Sequence, residues 1–83
     1  MKLNETVEMM NSTDYKERFK AEYMQLVIRL KGLESMLDKW DKGELSFKPT
    51  CPRSTYEMQK QYMVGYIAVL EMRAVMECVD LNI

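Results

Sequence analysis

From position 19 onward, apolar residues recur at helical spacing. Phe19, Tyr23, Leu26, Leu30, Leu33, Leu37 and Trp40 follow one another at intervals of 4, 3, 4, 3, 4 and 3. This is a heptad seam sustained over three repeats, and Tyr15 carries it one turn further back. Asp14 followed by Glu17 reads as a capping box, with Thr13 a competing N-cap. The pattern predicts a helix over about 14–40, roughly 40 Å long at 1.5 Å per residue. Gly32 weakens it by about 1 kcal/mol relative to alanine, and a close helix crossing is the usual reason for such a residue.

Asp41-Lys42-Gly43 ends the pattern, with Gly43 able to take the left-handed conformation of a helix stop. The segment 41–53 has no helical period. Leu45 and Phe47 alternate with polar residues and are expected to pin this loop, read as a packed linker, onto the helices. Ser54 and Glu57 form a second capping box, opening a helix predicted over about 54–79 and roughly 39 Å long. Two helices of equal length joined by one loop predict an antiparallel hairpin.

The second helix is apolar nearly all round. One row is Met63, Ile67, Leu70, Ala74 and Cys78; another is Met58, Tyr62, Tyr66, Val69 and Met76. Such a helix is a buried one, yet its hairpin partner covers one side only. Residues 1–13 read as an extension or short helix, with Asn4 as a cap and Val7, Met9 and Met10 packing, which is too little cover. The fold class is therefore all-α: a long antiparallel two-helix hairpin (14–83) with a short N-terminal extension (1–13), assembled as a homo-oligomer through the second helix.

Composition narrows the chemistry. The chain has 83 residues, 30% charged and 47% hydrophobic, as a small globular domain has. A net charge of -1 argues against bulk nucleic-acid binding. The absence of histidine removes Ser-His-Asp and Cys-His systems and all histidine metal sites. Glu34 and Asp38 share a helix face, but nothing else converges there to hold a metal. Cys51 and Cys78 are too few for a disulfide scaffold and read as free thiols, packed or incidentally exposed. No secretory signal or membrane span is expected, so the chain is read as cytoplasmic. With no phosphate loop, dinucleotide fingerprint, cofactor site or catalytic set, it is read as a non-enzyme.

Tyrosines beside cations carry the remaining signal. Tyr15 stands near Lys16 and Arg18 at the start of the first helix; Tyr56 lies between Arg53 and Lys60 at the start of the second. An aromatic plane beside a guanidinium or ammonium suits a nucleobase with its phosphate. The simpler alternative is that each tyrosine packs as an amphipathic edge of the core. In an antiparallel hairpin the two helix starts lie at opposite ends, so the sets meet only between protomers. Arg73, alone among apolar neighbours, reads as an intersubunit partner for Glu71 or Glu77, or as a ligand contact. Trp40 reads as a seam anchor, and the nine methionines as an adaptable packing surface.

Several stretches carry a family likeness. They are Tyr15-Lys16-Glu17-Arg18-Phe19, Glu22-Tyr23-Met24-Gln25-Leu26, Leu33-Glu34, the loop Phe47-Lys48-Pro49-Thr50-Cys51-Pro52, and Met63 to Ala74. Over about 14–81 the chain resembles small gut-phage proteins called crAss-phage "48-related" proteins. That resemblance implies a phage-encoded helical hairpin acting inside a bacterium. Gly65-Tyr66-Ile67-Ala68-Val69-Leu70 is in addition similar to the hairpin domain of phage sponge proteins. Those proteins oligomerise and sequester the cyclic oligonucleotides of CBASS and the cyclic ADP-ribose signals of Thoeris. Two functions follow as expectations. One is a sponge holding a nucleotide-type signal between protomers, with Tyr15 and Tyr56 stacking bases, Arg18, Arg53 and Lys60 holding phosphates, and Arg73 as a further contact. The other is an interaction module whose second helix engages or inhibits a host or phage protein, such as a defence enzyme.

Overall fold

The computed structural model describes residues 2–81; the outermost residues of the 1–13 extension and the 14–83 domain, Met1, Asn82 and Ile83, lie outside them. The described residues form a 3₁₀ turn (Leu3–Thr6) and three α-helices: α1 (Val7–Met10), α2 (Tyr15–Asp41) and α3 (Arg53–Met76). Among the described residues there is no strand. α2 packs on α3, and the N-terminal turns pack on α2. The hairpin is antiparallel. Tyr15, at the start of α2, bonds Glu77 just past the end of α3, while Asp41 at the end of α2 pairs with Arg53 at the start of α3.

Local chemistry sets the helix ends. Asp14 is the N-cap of α2, its Oδ1 accepting from the Lys16 N–H at 2.9 Å. The reciprocal bond expected of Glu17 is made by Ser12, whose Oγ accepts from the Asp14 N–H at 3.0 Å. α3 departs from its predicted start. Its N-cap is Pro52, whose extended backbone (φ -66°, ψ 154°) leads into the helix, and no side chain caps it. Glu57 is drawn to Arg53 instead of back to Ser54, because an arginine four residues away on the same helix offers charge as well as a hydrogen bond.

Both long helices stop in the same way. Gly43 takes φ 70°, its N–H bonds the Trp40 carbonyl, and the Glu44 N–H bonds the Lys39 carbonyl. Cys78 takes φ 56°, its N–H bonds the Val75 carbonyl, and the Val79 N–H bonds the Ala74 carbonyl. These are paired Schellman stops. The second ends α3 at Met76, short of the predicted 79. It also folds Val79 back onto Phe19, Leu70 and Ala74, which form the main core.

That core is small. Tyr23, Leu26 and Leu81 pack around it, and toward the loop α2 buries Leu37. The N-terminal turns lie along a second flank of α2, where Ala21 and Met24 are buried. Thr6 anchors them: fully buried, it accepts from Gln25 Nε2 at 2.9 Å and donates to the Leu3 carbonyl at 2.7 Å. Asn4 caps nothing; it lies inside the 3₁₀ turn, and the polar anchor is Thr6. Nor does Gly32 mark a close crossing, for no atom beyond its own stretch of helix lies within 4 Å of where its Cβ would be. Leu45 is half-buried but Phe47 is exposed, so the loop is pinned at one of its two expected points. Beside Gly32 and Met36, Leu45 and Phe47 line an open groove of about 350 Å³.

The molecule is long for its mass, 43 × 24 × 19 Å with a radius of gyration of 15.1 Å. A compact chain of this length has roughly 12 Å. Its accessible surface is 6024 Å², against roughly 5,200 Å² for a compact monomer of the same mass. Much of the outer side of α3 is apolar and exposed, Met58, Tyr62, Val69, Met72 and Met76 included.

Candidate functional site

The six residues singled out in the sequence fall into two clusters, one at each end of the hairpin. Tyr15, Arg18 and Arg73 share the end that carries the N-terminus of α2. Arg53, Tyr56 and Lys60 share the loop end. Arg53 and Arg73 stand 20 positions apart on α3, about 30 Å at helical rise.

At the first end, three side chains close a ring. Tyr15 Oη donates to Glu77 Oε1 at 2.7 Å, Arg73 Nη2 donates to Tyr15 Oη at 2.7 Å, and Arg73 Nε donates to Glu77 Oε2 at 2.8 Å. The Arg73 guanidinium lies 5.0 Å from the Phe19 ring centre, over the buried core. Arg18 stands 5.9 Å from the Tyr15 ring centre and donates to the Ser12 carbonyl. Lys16 donates to the Cys78 carbonyl. The charge-assisted bonds set the electrostatics. The Tyr15 hydroxyl, then Arg73, hold the Glu77 carboxyl below its ordinary value. The Glu77 carboxylate in turn raises the Tyr15 phenol.

At the loop end, Arg53 is the hub. It grips Asp41 through Nη1 and Nη2 at 2.6 and 3.2 Å and reaches Glu57 through Nε at 3.0 Å. Its guanidinium lies 5.3 Å from the Trp40 ring centre, and Tyr56 meets the same indole edge-on at 5.9 Å. Arg53 holds the Asp41 carboxyl down, first through its hydrogen bonds. Lys60 stands 3.9 Å from Glu34, and Lys42 pairs with Asp38, so each of the two carboxylates that share this helix face has a cationic neighbour. Among the described residues no group of three potential ligands converges.

Arg73 is a correction to the sequence reading. Its carboxylate partner is Glu77 of its own chain, because i,i+4 spacing brings the pair together on one helix face. Sequence reasoning missed the partners that orient both arginines: Phe19, Trp40, Asp41 and Glu57. One signal is present in the sequence: Arg53–Glu57 and Arg73–Glu77 repeat the same i,i+4 spacing. The aromatic partners, Trp40 and Phe19, meet these arginines only once the hairpin has closed.

Each end thus presents a guanidinium over an aromatic ring, a tyrosine beside it and a carboxylate counter-ion. The Sequestin family model matches residues 13–76, which takes in both long helices and the loop between them. The chain belongs to the Sequestin family. The Sequestin match begins after α1, so the N-terminal turns lie outside it, as does Glu77 of the ring. No curated protein and no solved structure matches the chain. Among the described residues no helix is long and apolar enough to cross a membrane.

Proposed function

We propose that this Sequestin is a phage-encoded, non-enzymatic sponge that holds a nucleotide-type immune signal between protomers in the cytoplasm of a bacterial host. Its membership of a family named for sequestration carries the reading. The two aromatic–arginine clusters supply suitable chemistry. Tyr15 is nearly half exposed and offers a ring for a base, with Arg18 and Arg73 at hand for phosphate. Across the protomer boundary, Arg53, Tyr56 and Lys60 of a second chain complete the pocket.

The carboxylates beside the arginines do not oppose this role. They hold each guanidinium against its ring in the free protein, so little side-chain freedom is lost on binding. Exposed ion pairs are weak, so a phosphate can exchange with Asp41 or Glu77 at small cost.

The test is thermal unfolding against a nucleotide panel: cyclic di- and trinucleotides, cyclic ADP-ribose isomers, NAD and mononucleotides. A ligand at 100 times its Kd stabilises the fold by about 2.7 kcal/mol, several degrees for a domain of this size. A selective shift is expected, lost in Arg53→Ala and Tyr56→Ala, with the ligand recovered intact after heat release. A well-folded protein with no shift across the panel overturns the sponge and leaves a protein partner as the reading. Recovery of a cleaved ligand overturns the non-enzymatic part.

A further inference from the structure

On the outer side of α3, Met58, Tyr62, Gly65, Val69, Met72 and Met76 follow at intervals of 4, 3, 4, 3 and 4. This is a second heptad seam, and it lies on the far side of the helix from Leu70 and Ala74, the residues buried against α2. Its five side chains are each between 47% and 76% exposed, and the place of a Gly65 Cβ is open. The α2 seam is spent inside the hairpin; this one has nothing on it among the described residues.

Its order says what fits it. The spacing of the seam is symmetric about Ile67, with two large residues at each end and a small and a medium one, Gly65 and Val69, at the centre. Run antiparallel against a copy of itself, every position meets one of complementary kind. The heptad places agree, because antiparallel coiled pairs set each a position against a d position. A parallel pairing would instead stack Gly65 on the partner's Gly65 and leave a void between the tyrosines and valines. A slip of one heptad leaves only four of the six positions opposed.

Charge and area agree as well. α3 carries three charges from Met58 to Met76: Lys60, Glu71 and Arg73, all off the seam. Lys60 and Arg73 are turned to Glu34 and Glu77. A membrane-binding face would carry a cationic rim, and this one does not. Six positions of this size, with Val75 beside them, expose an area of the order of the roughly 800 Å² that a standard interface takes from each partner.

We propose that two copies pair antiparallel through this seam, with Met58 opposite the partner's Met76, Tyr62 opposite the partner's Met72 and Gly65 opposite the partner's Val69. Gly65 faces Val69 beside the two-fold axis, and its missing side chain lets the backbones approach closely. The pairing places the Tyr15–Arg73 cluster of one chain and the partner's Trp40–Arg53 cluster at the same end of the dimer, twice per dimer. It rests on the proposed function only in taking a second copy as the cover of α3, and not on any ligand.

Light scattering at tens of micromolar tests the pairing, and disulfide trapping tests the register. The expected results are a dimer for the native chain and a monomer of undiminished helicity for Gly65→Leu. Leucine is the better helix former and meets nothing within the monomer, so misfolding does not mimic the loss. In a Cys51→Ser, Cys78→Ser background, Tyr62→Cys mixed with Met72→Cys should give a cross-linked pair under mild oxidation, and neither alone should. A native monomer, a Gly65→Leu dimer, or self-linking by Tyr62→Cys alone each overturns the proposal. A dimer in this register with no thermal shift across the nucleotide panel leaves the pairing standing and removes the sponge.

Discussion

The two ends of the hairpin carry the same kit on different foundations. Each has an arginine on an aromatic ring, a tyrosine and a carboxylate four residues on. At the Tyr15 end, Arg73 lies over Phe19, and Phe19, Leu70, Ala74 and Val79 are all buried beneath. At the loop end, Arg53 lies over a half-buried Trp40 and the nearest buried residue on α2 is Leu37. The first cluster is a lid on a core; the second is a clasp across the ends of two helices. The difference follows from the stops. Cys78 turns the chain back so that Val79 enters the core, whereas Gly43 turns it out into a loop whose Phe47 stays exposed.

Core truncation should separate the ends most. Leu70→Ala, at a fully buried site, is expected to cost about 3 kcal/mol, and Leu37→Ala distinctly less, because the loop end has more room to collapse. Urea titration at one fixed protein concentration makes the comparison. Equal losses would mean that the core runs evenly along the hairpin.

The paired stops come next, with opposite signs. Gly43→Ala forces a side chain into the left-handed region and should destabilise by about 1 kcal/mol. Cys78→Gly relieves that conformation and should stabilise by up to about 1 kcal/mol. Thermal midpoints of the two variants should move apart around the native value; movement in one direction would show that side-chain contacts outweigh backbone strain there.

The pH response is the smallest effect. Glu77 and Asp41 have lowered values in the folded chain. Their contribution is present above the ordinary carboxylate range and is lost as pH falls through the folded values. Tyr15 and Tyr23 are raised, Tyr15 chiefly by Glu77 and Tyr23 by burial. Their contribution is present below the ordinary tyrosine value and is lost as pH climbs through the raised ones. The midpoint should therefore plateau between and fall on both sides. Glu77→Gln should flatten the acid limb and Tyr15→Phe part of the alkaline one; limbs that neither variant changes would place the titration elsewhere.

The helices and the hairpin were legible because their causes are local or periodic. A seam at intervals of 3 and 4 specifies a helix and its buried stripe, Asp14 caps its neighbour's N–H two residues on, and Gly43 marks its own stop. Where two local solutions competed, pattern was not enough. Ser54 and Pro52 both suit a helix start, and the pull of Arg53 on Glu57 decided between them. The end of α3 carried no glycine, so Cys78 in the left-handed region was invisible until Val79 had a core to enter.

By itself, then, the sequence determined two long helices, their antiparallel joining and an excess of apolar surface on α3. These depend on neighbours a few residues apart. Only the tertiary structure decided that Arg73 and Tyr15 close a ring with Glu77, that Arg53 clasps Asp41 across Trp40, and which stripe of α3 stays bare. Long polar side chains choose among carboxylates that are distant in sequence, and that choice exists only once folding has brought the helices together.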